Sequence, residues 1–386
     1  MSFRLAVLTT HPIQYYAPVF KLLSAEKDIA LKVFYTLGNE RQIIDEGFGR
    51  VITWDLPLLE GYEFEFLVNS AKHPTSSSFS GVDNPFLFEQ IDMFKPDAIL
   101  VYGWAYKSHL KALKHYHKIT PIWFRGDSTL IDPSSPWKKI LRKLSLTWIY
   151  KNVDIAFYVG TNNKDYFISN GMSQQQLIFA PHAIDNNRFI IPRDNEKAIL
   201  RRQFDIAEHH ILILYAGKLE PIKNLGLLLD AFIKINSPNA HLLFVGNGIL
   251  DEKLKTASEK HTTANRIHFM DFQNQTMMPA VYQACDIFCL PSLNETWGLS
   301  VNEAMAAGKA ILVSDHVGCA VDLVENDENG FIFESNNLAS LIEKLQIMIK
   351  TSKLKEMGES SQAKICNWSF SNQVKAIMSQ TNKHVI

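Results

Sequence analysis

Two glutamates, Glu295 and Glu303, lie eight positions apart around the start of a predicted helix. The apolar run 287–290 is typical of a buried parallel strand, and residues 298–307 have the spacing of a helix that ends at Gly308. Ligands of open α/β sheets bind beyond the carboxyl ends of the strands, which predicts Glu295 in that crevice and Glu303 on the following helix. Carboxylates bind sugar hydroxyls and helix-start amides bind phosphate, so the pattern suits a polyol that is also a phosphate ester.

A second pair of residues, Lys218 and Lys223, follows another apolar run and precedes another helical pattern. Gly217 and Pro221 lie in the same turn, so both ammonium groups can converge above the sheet as movable charges for phosphate. Alone, the pair is more typical of two solvated lysines on a surface loop. Together with Glu295, it predicts a diphosphate site.

The composition bounds what the protein can be. A chain of 386 residues suggests about two domains, and a formal charge of −1 gives no overall attraction to nucleic acid. The four cysteines have no pattern that favours metal or redox chemistry. Residues 1–10 are better interpreted as a first strand than as a secretory signal, and no apolar run is long enough to span a bilayer. We therefore expect a cytoplasmic protein.

Apolar strands alternate with helical patterns through both halves, which predicts mainly parallel sheets. First-half strands are expected at 3–8, 30–35, 98–102, 121–124, 155–159 and 177–180. Second-half strands are expected at 211–216, 241–245, 267–269, 287–290, 310–314 and 330–333. The predicted fold is α/β, with two doubly wound Rossmann-like domains facing across a cleft. The domains are expected at 1–192 and 193–366, with 367–386 as a C-terminal helix that packs back on the first domain.

The order of motifs in the second half resembles the donor domain of the family-4 retaining glycosyltransferases, which have the GT-B fold. The motifs are Gly217-Lys218 followed by Lys223, Val245-Gly246-Asn247-Gly248, and Glu295-x7-Glu303 followed by Ala307-Gly308-Lys309-Ala310. The resemblance is specific over 211–334 and looser over 1–192, where residues 181–189 are similar to the family's inter-domain signature.

The resemblance implies a retaining enzyme of the hexosyl-transferring type, which moves a sugar from a UDP- or GDP-linked donor to a glycan or lipid-linked acceptor. Surface polysaccharide or glycolipid synthesis is the implied setting. The nucleotide sugar is a substrate, so no cofactor is expected. No Asp-x-Asp pair stands at a predicted strand end, which favours a reaction independent of metal.

Roles in the second domain follow from the same resemblance. Lys218 and Lys223 would clamp the donor diphosphate, Glu303 would bind the ribose hydroxyls, and Glu295 would orient the transferred sugar. The nucleobase would meet Phe272 and Gln273, although Phe272 is equally typical of a core aromatic. Backbone amides at the helix start would contact the sugar and phosphate: Thr296, Trp297, Gly298 and Leu299.

The first domain departs from the family pattern. His11 follows the first strand where the family has a glycine-rich loop; it would make polar contacts near the donor, or would merely cap a helix start. Arg125 and Asp127 stand where the family often carries a histidine. Asp127 is therefore a candidate base for the acceptor hydroxyl, with Arg125 beside it.

The segment 137–151 contains five basic residues, no acidic residue, and apolar residues at helical spacing. One interpretation is a helix that lies on an anionic membrane, which would place the protein at the inner face of the membrane. The alternative is an ordinary packed helix with a solvated basic face.

Other functional classes remain open. A catalytically silent GT-B subunit that stabilises a partner transferase would be expected to lose a diphosphate cation or a glutamate, whereas Lys218, Lys223, Glu295 and Glu303 are all present. An epimerase or a phosphorylase on a similar fold would need different residues.

Overall fold

The computed structural model describes residues 2–38, 44–45, 50–51, 54–131 and 136–381. The chain forms two compact units. Unit 1 consists of Met1–Arg41, Pro57–His182 and Phe370–Ile386, and unit 2 consists of Gln42–Leu56 and Ala183–Ser369. The domain bounds expected from the sequence remain predictions; they are 1–192, 193–366 and 367–386.

The first half of the chain alternates strands and helices. Its strands are β1 (Phe3–Thr9), β2 (Ile29–Tyr35), β3 (Ile44–Asp45), β4 (Arg50–Val51), β5 (Glu63–Phe66), β6 (Ala98–Tyr102), β7 (Ile122–Arg125), β8 (Ile155–Tyr158) and β9 (Leu177–Phe179). Its helices are α1 (Ala17–Ser24), α2 (Leu87–Phe94), α3 (Lys107–Tyr116), α4 (Pro136–Tyr150) and α5 (Thr161–Ser169).

The second half repeats the alternation. Its strands are β10 (Ile211–Ala216), β11 (Ala240–Val245), β12 (Ile267–Met270), β13 (Ile287–Leu290), β14 (Ala310–Ser314) and β15 (Gly330–Phe333). Its helices are α6 (Asn186–Ile190), α7 (Asp194–Gln203), α8 (Leu225–Ile235), α9 (Asp251–Glu259), α10 (Met278–Ala284), α11 (Leu299–Ala306), α12 (Ala320–Leu323), α13 (Leu338–Lys350), α14 (Leu354–Ile365) and α15 (Phe370–Thr381).

Each unit is built on one parallel sheet. The strand order in unit 1 is β5-β2-β1-β6-β7-β8-β9, and the order in unit 2 is β12-β11-β10-β13-β14-β15. Every residue of β6 and of β14 is buried, as expected for strands that helices cover on both faces. The strand order reverses between β1 and β6 in unit 1 and between β10 and β13 in unit 2, and such a switch point is where α/β sheets bind ligands.

The last helix belongs to unit 1 although the chain of unit 2 precedes it. Helix α15 contacts α1 and buries Phe370, Val374 and Ile377. The apolar face of α1, which includes Val19 and Phe20, is buried in the same unit. The expectation that the C-terminal helix packs back on the first domain is therefore confirmed.

Candidate active site

The switch point of unit 2 brings together a cation and a carboxylate that the sequence singled out. Lys223 lies on the loop after β10, Glu295 lies on the loop after β13, and the Lys223 ammonium group forms an ion pair with the Glu295 carboxylate. Each side chain is 19% exposed. The amide of Leu293 donates to the carbonyl of Ile222 at 2.9 Å, so the two loops are also joined through their backbones.

Tyr215, at the end of β10, supports the loop that carries Lys218. Its buried hydroxyl donates to the Lys218 carbonyl at 2.7 Å. Burial raises the pKa of Tyr215 far above its ordinary value, and the nearby charges of Glu295 and Glu220 raise it further. The phenol therefore stays a neutral donor and holds the lysine loop against the sheet edge.

The loops after β10 and β11 touch through bare backbone. Gly246 has a φ of +136°, and a Cβ added there would lie 2.0 Å from the carbonyl oxygen of Gly217. Only glycine permits this approach. The neighbouring Asn247 accepts from the amide of Phe272 at 2.9 Å and donates to Asp271 Oδ1 at 2.9 Å. Asn247 therefore fixes the start of the loop after β12.

The start of α11 is held by the loop after β14. The amide of Glu295 donates to the carbonyl of His316 at 3.1 Å, and the amide of Gly318 donates to the carbonyl of Glu295 at 2.9 Å. A Cβ at Gly318 would lie 1.9 Å from the carbonyl oxygen of Thr296. Gly298, with a φ of +97°, precedes the first residue of the helix. This packing fixes the direction of the backbone from Glu295 to Leu299.

The side chain of Trp297 has a structural role. The indole is 2% exposed, and its Nε1–H donates to Asn302 Oδ1 at 2.9 Å. The backbone of Trp297 is also engaged, because its carbonyl accepts from the amide of Cys319 at 3.0 Å. The buried indole thus anchors the helix start whose amides were expected to contact the donor.

Glu303 is a buried carboxylate on α11. It is 4% exposed, and the hydroxyl of Tyr282 on α10, itself 1% exposed, donates to Glu303 Oε2 at 2.8 Å. Sequence reasoning did not find Tyr282, because a tyrosine within an apolar helix carries no local sign of a partner 21 positions away.

The two residues expected at the nucleobase lie beyond the end of β12. Both are half-buried, and Gln273 Nε2 donates to the carbonyl of Asp271 at 2.9 Å. The structure therefore places all unit 2 candidates on loops or a helix start at the carboxyl edge of one sheet: Gly217, Lys218, Lys223, Phe272, Gln273, Glu295, Thr296, Trp297, Gly298, Leu299 and, on α11, Glu303. Their individual roles stay predictions.

In unit 1 the guanidinium of Arg125 forms hydrogen bonds with backbone carbonyls. Arg125 is 3% exposed and donates to the carbonyls of Ala180 at 2.9 Å and Pro181 at 3.1 Å. Burial lowers the pKa of Arg125 from its ordinary value. These bonds join the end of β7 to the segment after β9, so a structural role accounts for the arginine, and a catalytic role stays a prediction.

Asp127 and His11 lie on loops after β7 and β1. Burial raises the pKa of the Tyr16 hydroxyl, and the negative charge of Asp127 raises it further, so Asp127 lies near that phenol. The His11 Nδ1 atom is 3.0 Å from Thr10 Oγ1. The same region contains buried His182, whose pKa is lowered to about 3 by burial and by the Arg125 charge, so its imidazole is neutral.

Comparison with known proteins agrees with this geometry. Residues 196–364 match the model of the family Glycosyl transferases group 1. This segment is similar to a group 1 glycosyltransferase domain. It contains Lys218, Lys223, Glu295 and Glu303.

Two relatives illustrate how much sequence is shared. An uncharacterized glycosyltransferase of Methanocaldococcus jannaschii is 29% identical over 136 residues, which are 35% of this chain and 35% of the relative. A second relative is the N-acetylgalactosamine-N,N'-diacetylbacillosaminyl-diphospho-undecaprenol 4-alpha-N-acetylgalactosaminyltransferase of Campylobacter jejuni. It is 24% identical over 222 residues, which are 57% of each protein. The chain thus spans between a third and three fifths of the length of these relatives.

Solved structures share the fold over almost the whole chain. Anabaena HepE in complex with UDP superposes with a TM-score of 0.73 at 17% identity, covering 99% of this chain and 100% of that one. The lipopolysaccharide outer core galactosyltransferase WaaB has a TM-score of 0.69 at 16% identity, covering 98% of this chain and 100% of that one. The expected GT-B fold, with two doubly wound parallel sheets, is confirmed.

Proposed function

We propose that the protein is a retaining glycosyltransferase that uses a UDP- or GDP-linked sugar and needs no metal ion. The observation that carries the proposal is the contact between Lys223 and Glu295 at the switch point of unit 2. In a nucleotide sugar, the transferred sugar is joined directly to the diphosphate. A cation for phosphate and a carboxylate for the sugar must therefore be neighbours, as these two side chains are.

The charges suit the transition state of glycosyl transfer. Positive charge develops at the anomeric carbon while negative charge grows on the departing diphosphate, so fixed cations stabilise the transition state more than the ground state. Lys218, Lys223 and the amides at the start of α11 supply that positive charge, and Glu295 orients the sugar. Glu303, a carboxylate already oriented by Tyr282, is assigned to the ribose hydroxyls.

We propose a glycan or lipid-linked acceptor, in surface polysaccharide or glycolipid synthesis. The name of the Campylobacter jejuni relative describes transfer to a sugar on undecaprenol diphosphate, and WaaB is named as a galactosyltransferase of the lipopolysaccharide outer core. Only the class of acceptor is carried over to this chain. Asp127 is kept as the candidate base for the acceptor hydroxyl, and His11 and Arg125 as candidates for polar contacts.

Helix α4 supports a location at the inner face of a membrane. Its large apolar side chains are strongly exposed, including Trp137 at 77% and Leu141 and Leu144 at 65% each. The exposed first half of the helix also carries Lys138, Lys139, Arg142 and Lys143. Exposed apolar groups beside basic ones suit an anionic lipid surface, where each cation contributes about 1 kcal/mol. No helix in the part of the chain that the structure describes has the length and apolarity needed to cross a membrane.

Vesicle flotation tests the membrane proposal. The protein should float with vesicles that contain anionic lipid and not with neutral ones. A double Leu141→Glu, Leu144→Glu variant should lose binding, whereas Ile249→Glu, which changes a side chain that is 78% exposed in unit 2, should keep it. Equal flotation with neutral and anionic vesicles would remove the proposal.

Donor binding and turnover test the main proposal. UDP or GDP should raise the melting temperature, and a matching nucleotide sugar should be turned over in the presence of EDTA. Glu295→Ala should abolish turnover, whereas Glu325→Ala, which breaks the exposed ion pair with Lys364 at 3.4 Å, should not. Turnover that survives Glu295→Ala would refute the assignment of the site.

The silent-subunit alternative predicts a different pattern. Such a protein would bind no nucleoside diphosphate, and its partner would lose stability when this chain is removed. The enzyme is favoured by the presence of Lys218, Lys223, Glu295 and Glu303. A protein that neither binds UDP or GDP nor turns over any nucleotide sugar would favour the silent subunit.

A further inference from the structure

Residues 54–56, from the first half of the chain, belong to unit 2 and lie outside the matched residues 196–364. We propose that Trp54 in this segment is a contact for the nucleobase of the donor and that Asp55 is the residue that positions it. The inference rests on the proposed function, because it assigns an additional residue to the same donor site.

Asp55 fixes the segment to the turn that precedes α10. Its carboxylate accepts from the amide of Gln275 at 3.1 Å, from the amide of Thr276 at 3.0 Å, and from the Thr276 hydroxyl. Its own amide donates to Asn274 Oδ1 at 3.4 Å. The amide of Gln275 also donates to Asn274 Oδ1 at 2.9 Å within the turn. A carboxylate at this turn suits the positive end of helix α10. The segment is thus held at a defined position.

The anchored segment places the indole of Trp54 against the ring of Phe272. The ring centroids are 6.2 Å apart and the planes are inclined by 65°, which is an edge-to-face arrangement. Both rings are half-buried, so each is also partly open to solvent. Phe272 lies at the carboxyl edge of the sheet, where the bond from its amide to Asn247 fixes its backbone.

An aromatic pair at this edge provides a surface on which a flat base can stack. Base–aromatic stacking tolerates any base, because every base has a π face. The contact therefore fits a uracil or a guanine donor alike. The proposal also gives a role to the contact between Asp55 and the distant turn before α10, because this contact sets the position of the neighbouring Trp54 indole.

The experiment measures binding of UDP and GDP by calorimetry to the full chain and to Trp54→Ala. Loss of the stacking contact should weaken nucleotide binding roughly 5- to 150-fold. Binding of inorganic diphosphate should not change, because it has no base. Trp54→Phe should restore most of the affinity, and Trp137→Ala, a change to an exposed indole in unit 1, should have no effect.

Asp55→Ala distinguishes positioning from contact. It should weaken nucleotide binding in the parent background and have no further effect in the Trp54→Ala background. Parent protein that binds neither UDP nor GDP would refute the proposed function itself. Parent protein that binds one of them, with Trp54→Ala binding equally well, would leave the proposed function standing and overturn this inference.

Discussion

The bond from Tyr282 to Glu303 gives a prediction whose size follows from burial. Tyr282→Phe removes one hydroxyl and leaves Glu303 Oε2 without the donor that lies 2.8 Å away. Both side chains are almost fully buried, so water cannot easily replace the lost bond. Leaving a buried polar group without its partner costs about 1–3 kcal/mol, and we expect a loss of about 2 kcal/mol in the free energy of unfolding. For a unit of this size, that loss lowers the melting temperature by about 4–8 °C.

The same substitution elsewhere in the chain provides a matched control. The Tyr116 hydroxyl donates to Asp92 Oδ1 at the same 2.8 Å, but Asp92 is exposed. Water can take over that bond, so Tyr116→Phe should cost at most about 1 kcal/mol. Differential scanning calorimetry of both variants is the assay. A Tyr282→Phe variant no less stable than Tyr116→Phe would refute the view that Glu303 is a buried, oriented carboxylate.

Two further predictions concern pH and loop packing. Burial lowers the pKa of His109 from 6.5 to about 4, so the unfolded chain binds more protons between these values. The contribution of His109 to the free energy of unfolding should be fully present above pH 6.5 and should fall by about 3 kcal/mol as the pH drops to 4. Denaturant titrations should show that the free energy of unfolding depends less on pH in His109→Gln. An unchanged pH dependence in this variant would contradict the reasoning. Gly318→Ala should lower the free energy of unfolding by about 1–3 kcal/mol and weaken UDP or GDP binding, because the new Cβ meets the Thr296 carbonyl. Gly226→Ala should be tolerated, because no atom lies within 4 Å of a Cβ at that position. Equal effects of the two changes on melting temperature would exclude close packing as the cause.

Most strands could be predicted because they are short apolar runs. The strands β6, β10, β13, β14 and β15 have the predicted bounds. The sequence pattern missed β5, whose residues alternate glutamate and phenylalanine at the edge of the unit 1 sheet. Its glutamates pair with Lys32 of β2, at 3.4 Å for Glu63 and 2.9 Å for Glu65. A strand stabilised by ion pairs with its neighbour carries no buried apolar run.

Some residues of the candidate site could be predicted from the sequence and others could not. Lys223 and Glu295 lie on loops that follow predicted strands, so the rule that strand ends share one edge was sufficient to bring them together. Asp55 lies 220 positions before Gln275, and nothing in its local sequence indicates that contact. Arg125 shows the opposite limit: a charged residue at a strand end looks functional from its position, but the carbonyls of Ala180 and Pro181 that occupy it are visible only in the structure.

The path of the chain through the two units has a consequence for biosynthesis. Unit 1 needs α15 to cover α1, yet the ribosome must first make residues 183–369 of unit 2. At about 5–20 residues per second, that stretch takes roughly 10–40 seconds, during which α1 lacks its contact with α15. Unit 2 is thus expected to complete its fold before unit 1, and the nascent chain should depend most on chaperones while α15 is still inside the ribosome.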